Sequence, residues 1–122
     1  MKNKSEFDKK IQDDFFNLTV FNKLASLFDD KFSDLIKEHN DSTKESIDHI
    51  DKAITNSDSG ILERTAHSIK GASAQFGGTL LSHLAENMEK LGKDGDFENA
   101  RELYPALKKA QEETAALMLK QI

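Results

Sequence analysis

The stretch H-S-I-K-G-A-S-A-Q-F-G, residues 67–77, places one histidine on a predicted helix together with a lysine and a glycine. Residues three and four apart are neighbours on a helix, so Lys70 and Gly71 both lie one turn beyond His67 on the same face. That face therefore holds a nucleophile, a cation and a position without a side chain.

The opposite face of this helix carries an apolar stripe. Its members recur at steps of four and three residues, and they are Leu62, Ala66, Ile69, Ser73 and Phe76. Such spacing is typical of a helix face that is buried against a core. Burial of the stripe turns His67 toward solvent, so a core histidine is not expected here.

Length and composition are those of one helical domain. The chain has 122 residues, of which 37% are hydrophobic and 32% are charged, enough for a single core and too few for two domains. Helical periodicity is nearly continuous and strand-type alternation is absent, which predicts an all-α fold. We expect a flexible segment over residues 1–17 and a single domain over residues 18–122.

Charge and cysteine content exclude several classes of protein. The formal net charge is −5, which argues against DNA or RNA as a partner because phosphate binding needs a basic face. No apolar run approaches the roughly 20 residues of a membrane span, and the charged start is not a signal peptide. The absence of cysteine excludes thiolate metal sites and fits a reducing compartment, so we expect a cytoplasmic protein.

Residues 71–85 contain no charged side chain, although almost a third of the chain is charged. A stretch of this kind is typical of the core of a helical hairpin. Its exposed residues can also form a low-charge docking surface for a protein partner. Both interpretations can hold together.

Two helices are predicted before the histidine helix. The first is Leu18–Phe28, and its apolar side consists of Val20, Phe21, Leu24, Leu27 and Phe28. The second runs over about residues 30–54 and has an unusually polar middle. One continuous helix is preferred there, but a break at residues 40–42 stays open because Asn, Asp and Ser favour caps and turns.

The histidine helix is predicted to begin at a cap formed by Asp58 or Ser59 and to end at Gly77 and Gly78. A returning helix follows, with a core stripe of Leu80, Leu81, Leu84, Met88 and Leu91. The last helix starts near residue 96, and Pro105 should kink it or begin a second segment. These elements predict an antiparallel up-down four-helix bundle, with the first short helix as a lid.

An exposed imidazole on a rigid helix can carry a phosphoryl group. Its unperturbed pKa is near 6.5, so one ring nitrogen is a free nucleophile at neutral pH. Gly71 would let another protein approach the ring of His67 closely. Lys70 and Arg64 could offset the charge of the phosphoryl group.

Together these features resemble the histidine-containing phosphotransfer (HPt) domain of phosphorelays. Its motif is a histidine with lysine at +3, glycine at +4, often serine at +6 and glycine at +10. The matching residues are His67, Lys70, Gly71, Ser73 and Gly77. The similarity extends over residues 32–117, and the polar middle of the second helix departs from it.

The resemblance implies that His67 accepts a phosphoryl group from an aspartate of one receiver domain and passes it to another. The partners would be receiver domains of response regulators or hybrid histidine kinases. The expected supporting residues are Lys70, Gly71, Arg64, Ser73 and Gly77, and the expected partner interface is Gly60, Glu63, Ala74 and Gln75. Ser73 suits a hydrogen bond between helices equally well.

The same resemblance implies a phosphocarrier with no cofactor and no metal of its own, because the receiver brings Mg²⁺. The sequence has no G-x-x-x-x-G-K-[ST] loop, so an ATP-dependent kinase is not expected. We expect a monomer that binds neither nucleic acid nor membrane.

Other interpretations of the histidines fit less well. In the dimerisation domain of a sensor kinase an acidic residue follows the histidine, whereas Ser68 follows here. A metal-binding bundle would use Glu-x-x-His pairs, which are absent, so His39, His49 and His83 are expected at the surface or its boundary. A helical docking module without chemistry remains the alternative, although such a module has no need of His67.

Overall fold

The structure, a computed structural model, describes residues 14–122. Its helices are α1 (Leu18–Phe28), α2 (Phe32–Thr55), α3 (Ser59–Gln75), α4 (Thr79–Asp94) and α5 (Phe97–Lys120), with a 3₁₀ turn, Asp29–Lys31, between α1 and α2. This part of the chain has no β-strand, and none of its helices is long and apolar enough to cross a membrane. The all-α prediction is confirmed.

Helices α2 to α5 form an antiparallel four-helix bundle, as predicted. Both α2 and α4 pack against α3 and against α5, so α3 and α5 lie diagonally across the bundle. Side chains cap the connections: Asp58 accepts a hydrogen bond from the Ile61 N–H at the start of α3, and Asp96 accepts one from the Asn99 N–H at the start of α5. Short capped loops therefore hold successive helices antiparallel.

The core has two parts. The larger one lies between the four bundle helices and includes Ile47, Ile50, Leu62, Ile69, Leu81, Met88 and Leu107. The smaller one lies at one end, where α1 meets the bundle, and consists of Phe16, Phe21, Phe32, Ile36, Phe76 and Met118. Phe21 is the buried residue of α1 and packs edge-on against Phe32, with ring centroids 5.0 Å apart. Helix α1 thus covers this end of the bundle, as predicted for a lid.

Gly77 joins this lid to the hairpin of α3 and α4. Its φ is 87°, and a Cβ there would lie 2.5 Å from the backbone oxygen of Asn17. The Asn17 N–H donates to the Gly77 carbonyl at 2.7 Å. Only glycine fits both the backbone angle and the contact, so this motif position serves the fold.

Two boundary predictions are tested by the structure. Helix α2 is continuous through residues 40–42, and Pro105 lies inside α5 without dividing it. Pro105 is exposed, so water can reach the carbonyl that lacks its helical partner. Of the segment expected to be flexible, residues 1–13 lie outside the described part of the chain. Phe16 is fully buried and Asn17 caps α1, so these two residues also pack with the bundle.

Three apolar residues predicted to be buried are exposed. Leu27 is 74% exposed and Phe28 is 42% exposed. Both lie in the last turn of α1, directly before Asp29, whose φ is 50°. Leu80 is 36% exposed. It lies in the first turn of α4, where Leu81 takes the inward position.

Part of the polar middle of α2 packs against the neighbouring helices α3 and α5. His39 stacks on Phe76 of α3, with ring centroids 4.0 Å apart, and its carbonyl accepts a hydrogen bond from the Thr43 hydroxyl. The Asn40 amide donates to the Ala115 carbonyl of α5 at 3.4 Å. Burial lowers the pKa of His39 to about 4, so His39 is a neutral part of the α2–α3 contact at physiological pH.

The stability of the bundle should depend on pH through His39. The folded state keeps this ring neutral, whereas the unfolded chain takes up a proton below about pH 6.5. The free energy of unfolding should therefore fall as the pH is lowered from 6.5 to 4, by up to about 1.4 kcal/mol per pH unit. His39→Phe keeps an aromatic ring on Phe76 and should lose this part of the slope.

Urea unfolding of both proteins at several pH values measures the difference. The carboxylates titrate in both chains and cancel in the comparison. Equal slopes for the wild type and the variant would contradict a neutral, buried His39.

Candidate phosphorylation site

Helix α3 presents His67 to solvent from its middle. The His67 side chain is 67% exposed, while Leu62, Ala66 and Ile69 of the apolar stripe are buried. The orientation predicted from the helical periodicity is therefore correct.

A carboxylate from α4 holds the imidazole. Glu89 Oε2 lies 2.6 Å from His67 Nδ1, and Glu89 Oε1 accepts a hydrogen bond from Lys70 Nζ at 2.7 Å. One side chain thus links the histidine to the lysine three residues further along α3. Sequence analysis did not identify Glu89.

The position of Glu89 follows from how α3 and α4 pair. Gly92 lies directly against Glu63, since a Cβ on Gly92 would be 2.7 Å from the Glu63 backbone nitrogen. Nearer the turn, the Ser82 hydroxyl donates to the Lys70 carbonyl at 3.0 Å. With both contacts in place, Glu89 lies opposite His67. Counting equal distances from the predicted turn at residues 77 and 78 would have indicated this region of α4.

The electrostatics of the site assign the proton on the imidazole. The hydrogen bond from Lys70, and then the one with His67, lower the pKa of Glu89. Glu89 is therefore ionised at neutral pH and can only accept hydrogen bonds. When the ring of His67 is neutral, its proton is therefore the one on Nδ1 that is shared with Glu89, and the lone pair of Nε2 is free to act as a nucleophile.

Lys70, which the sequence suggested as a cation for the phosphoryl group, is partly covered and already paired. Its side chain is 31% exposed, and the hydrogen bond to Glu89 raises its pKa. The lysine that the sequence suggested as a cation for the phosphoryl group is thus already paired with a carboxylate from α4.

Gly71 leaves the surface beside His67 open. A Cβ built on Gly71 would meet no atom within 4 Å, so nothing in the described chain requires glycine here. The open position lies where another protein would have to approach the ring.

The remaining predicted site residues fall into two groups. Arg64, Gly60 and Glu63 line an open concavity of about 580 Å³ together with His67, Ser68 and Glu89. Ala74 and Gln75 are exposed further along α3.

Ser73 and Gly77 are buried and lie away from the imidazole surface. The Ser73 hydroxyl has no hydrogen-bond partner among residues 14–122. The structure thus gives Ser73 neither the bond between helices nor the place beside the imidazole that the sequence left open.

The other histidines lie elsewhere. His39 packs on Phe76, whereas His49 and His83 are exposed. Within residues 14–122, no three His, Asp or Glu side chains come close enough together to bind a metal ion.

An exposed imidazole on a helical bundle, with its second nitrogen held by a carboxylate and open surface beside it, is the arrangement of a phosphoryl carrier. The comparison with known protein families supports this class of protein. The family model described as Hpt domain matches residues 34–117, and the chain belongs to the HPt domain family. This membership excludes the dimerisation domain of a sensor kinase.

A solved structure has the same fold. Histidine-containing phosphotransfer protein B (HptB) from Pseudomonas aeruginosa PAO1 is similar with a TM-score of 0.84 and 21% sequence identity, over 88% of this chain and 93% of that one. No curated protein matches the sequence.

Removing the Glu89 carboxylate should release the proton of the imidazole. In Glu89→Ala, Nδ1 loses its acceptor, so His67 should become a mixture of its two neutral tautomers. The ¹⁵N chemical shifts of the labelled ring report this directly, with separate protonated and unprotonated nitrogens in the wild type and partial averaging in the variant. Glu86→Ala, on the same helix, is the control and should keep the wild-type pattern. An unchanged tautomer in Glu89→Ala would show that Glu89 does not hold the ring in solution.

Proposed function

We propose that His67 is the phosphorylated residue of this histidine phosphotransfer protein, and that it carries a phosphoryl group between receiver domains of a phosphorelay. The observation that supports this assignment is the contact of the Glu89 carboxylate with Nδ1 of an exposed ring, which favours the neutral tautomer whose Nε2 lone pair is free. A docking module without chemistry would have no use for this arrangement. Phosphotransfer is therefore the better-supported function.

The first step is an attack by the Nε2 lone pair on the phosphorus of the receiver's aspartyl phosphate. The N–P bond forms as the P–O bond to the aspartate breaks, and that electron pair stays on the aspartate carboxylate. The imidazole gains positive charge as the bond forms, and the Glu89 carboxylate, 2.6 Å from Nδ1, stabilises it.

The second step is the reverse reaction with a different receiver. The aspartate of that receiver attacks phosphorus, and the N–P electron pair returns to Nε2. Because Nδ1 keeps its proton against Glu89, the leaving group is neutral imidazole rather than an anion. The same hydrogen bond thus assists both directions of transfer.

The receiver domain has the larger share of the remaining work. Phosphoryl transfer requires in-line geometry and neutralisation of charge on the phosphoryl oxygens. Lys70 is already paired with Glu89, so in this proposal the Mg²⁺ that the receiver's acidic pocket holds would supply most of the neutralisation. The proposed partners are receiver domains of response regulators and hybrid histidine kinases, met by a monomer in the cytoplasm.

The assignment predicts one labelled atom. His67→Gln should fold normally and accept no phosphate from a phosphorylated receiver, and the wild-type product should be phosphorylated on Nε2. Phosphate-affinity gels measure the first result, and ³¹P and ¹⁵N NMR of the ring identify the nitrogen. The control is His83→Gln, which changes an exposed histidine of α4 and should be labelled like the wild type. Acid-labile labelling of His67→Gln would sink the assignment.

Substitutions of Gly71 should affect the stability of the fold and the rate of transfer differently. Gly71→Ala adds a methyl group to open space within a helix and should stabilise the fold by up to about 1 kcal/mol. Gly71→Gln should keep the helix but slow transfer in both directions, because its longer side chain occupies the approach to His67. Thermal unfolding and rapid-quench transfer rates measure the two effects. Wild-type transfer rates in Gly71→Gln would show that the receiver approaches elsewhere.

A further inference from the structure

The two cations of α3 nearest to His67 are in different states. Lys70 is bonded to Glu89 at 2.7 Å and is largely covered. Arg64 is exposed, and none of the ion pairs among residues 14–122 includes it. Arg64 is therefore the cation at the site whose charge is still available to a partner.

The guanidinium of Arg64 is directed away from the imidazole. A Cβ built on Gly60 would lie 3.8 Å from Arg64 Nη1, so the side chain folds back over Gly60 toward the start of α3. Gly60 precedes His67 by two helical turns, which is about 10 Å along the helix axis. The absence of a side chain at Gly60 makes room for the guanidinium; Asp58 Oδ1 lies 3.8 Å from the same Cβ position but forms no ion pair with Arg64. The charge thus lies at the rim of the concavity and not beside Nε2.

We propose that Arg64 binds a carboxylate on the receiver's surface, beside the receiver's own phosphorylation pocket, and so sets the affinity of the complex rather than the rate of transfer. This inference rests on the proposed function. It replaces the expectation from sequence that Arg64 offsets the charge of the phosphoryl group.

Charge complementarity supports this partner chemistry. A receiver pocket that holds Mg²⁺ is acidic, and a guanidinium pairs with carboxylates through two parallel hydrogen bonds. Glu63 lines the same concavity and repels an acidic partner. The receiver's carboxylate must therefore lie over Arg64 and away from Glu63, which makes this pair of residues a determinant of the docked orientation.

Binding without phosphate tests the proposal directly. The probe is the receiver domain from the same genome that binds the unphosphorylated wild-type chain most tightly in the presence of Mg²⁺. Arg64→Ala should weaken this binding by about three- to tenfold at low salt, and the difference should narrow at high salt because screening weakens exposed ion pairs. The affinity of Arg64→Lys for the receiver should lie between those of the wild type and Arg64→Ala.

Arg101→Ala is the matched control. It removes the same charge from an exposed position on α5, diagonally across the bundle from α3, and should bind within about twofold of the wild type. Equal weakening by both variants would overturn the proposal, since net charge alone would then be responsible. Wild-type affinity in Arg64→Ala would overturn it as well.

Transfer kinetics separate docking from chemistry. The rate from phosphorylated Arg64→Ala at saturating receiver should stay within about twofold of the wild type, while the half-saturating receiver concentration rises. A lower saturating rate with unchanged half-saturation would show that Arg64 acts on the phosphoryl group. If His67 took no phosphate, the proposed function would fail while the weakened binding of Arg64→Ala still stood. If no receiver bound the chain, both proposals would fall.

Discussion

The register of α3 against α4 is the constraint on which the site depends. It is fixed near one end by the turn at Gly77, whose backbone also bonds Asn17 of the lid, and at the other by the close approach of Gly92 to Glu63. Helices that pack through side chains alone are usually 8–10 Å apart and tolerate small shifts. Here a hydrogen bond of 2.6 Å between side chains of different helices must form, and such a bond needs both a short distance and a nearly linear geometry.

A single carboxylate then determines two properties of the site. Glu89 places the proton of His67 on Nδ1, and it neutralises Lys70. An imidazole alone in water would exchange between tautomers, and a free lysine would attract any passing anion. The two hydrogen bonds of Glu89 remove this general attraction for anions and leave His67 with one defined nucleophilic atom. In the inference proposed above, specificity for a partner comes from charges further out, and Arg64 takes part in none of the ion pairs among residues 14–122.

Local patterns predicted much of the fold. Apolar periodicity gave the helices and turned His67 outward, and the caps at Asp58 and Gly77 follow from rules that involve only neighbouring residues. Leu27 and Leu80 were misplaced because periodicity reports which face of a helix is apolar and not how far the partner helices extend along it.

The site was less predictable for a related reason. Gly71 and Lys70 could be placed because they lie on the same helix as the histidine. Glu89 lies on another helix, and its role depends on a register that no local pattern states. The ion pair of Lys70 was therefore not predicted either, since its partner had not been identified. A single sequence does not show which residues of different helices come into contact at a site.

Gly92 acquires an unexpected importance from this geometry. It is buried, it makes no hydrogen bond to the imidazole, and it lies one turn beyond Glu89 on α4. A methyl group at Gly92 would meet the Glu63 backbone and the Leu62 side chain, so α4 would have to move outward and carry the carboxylate with it. The nucleophilicity of an exposed histidine is thus governed in part from inside the bundle, and a chain with every surface residue of the site intact could still be a poor carrier.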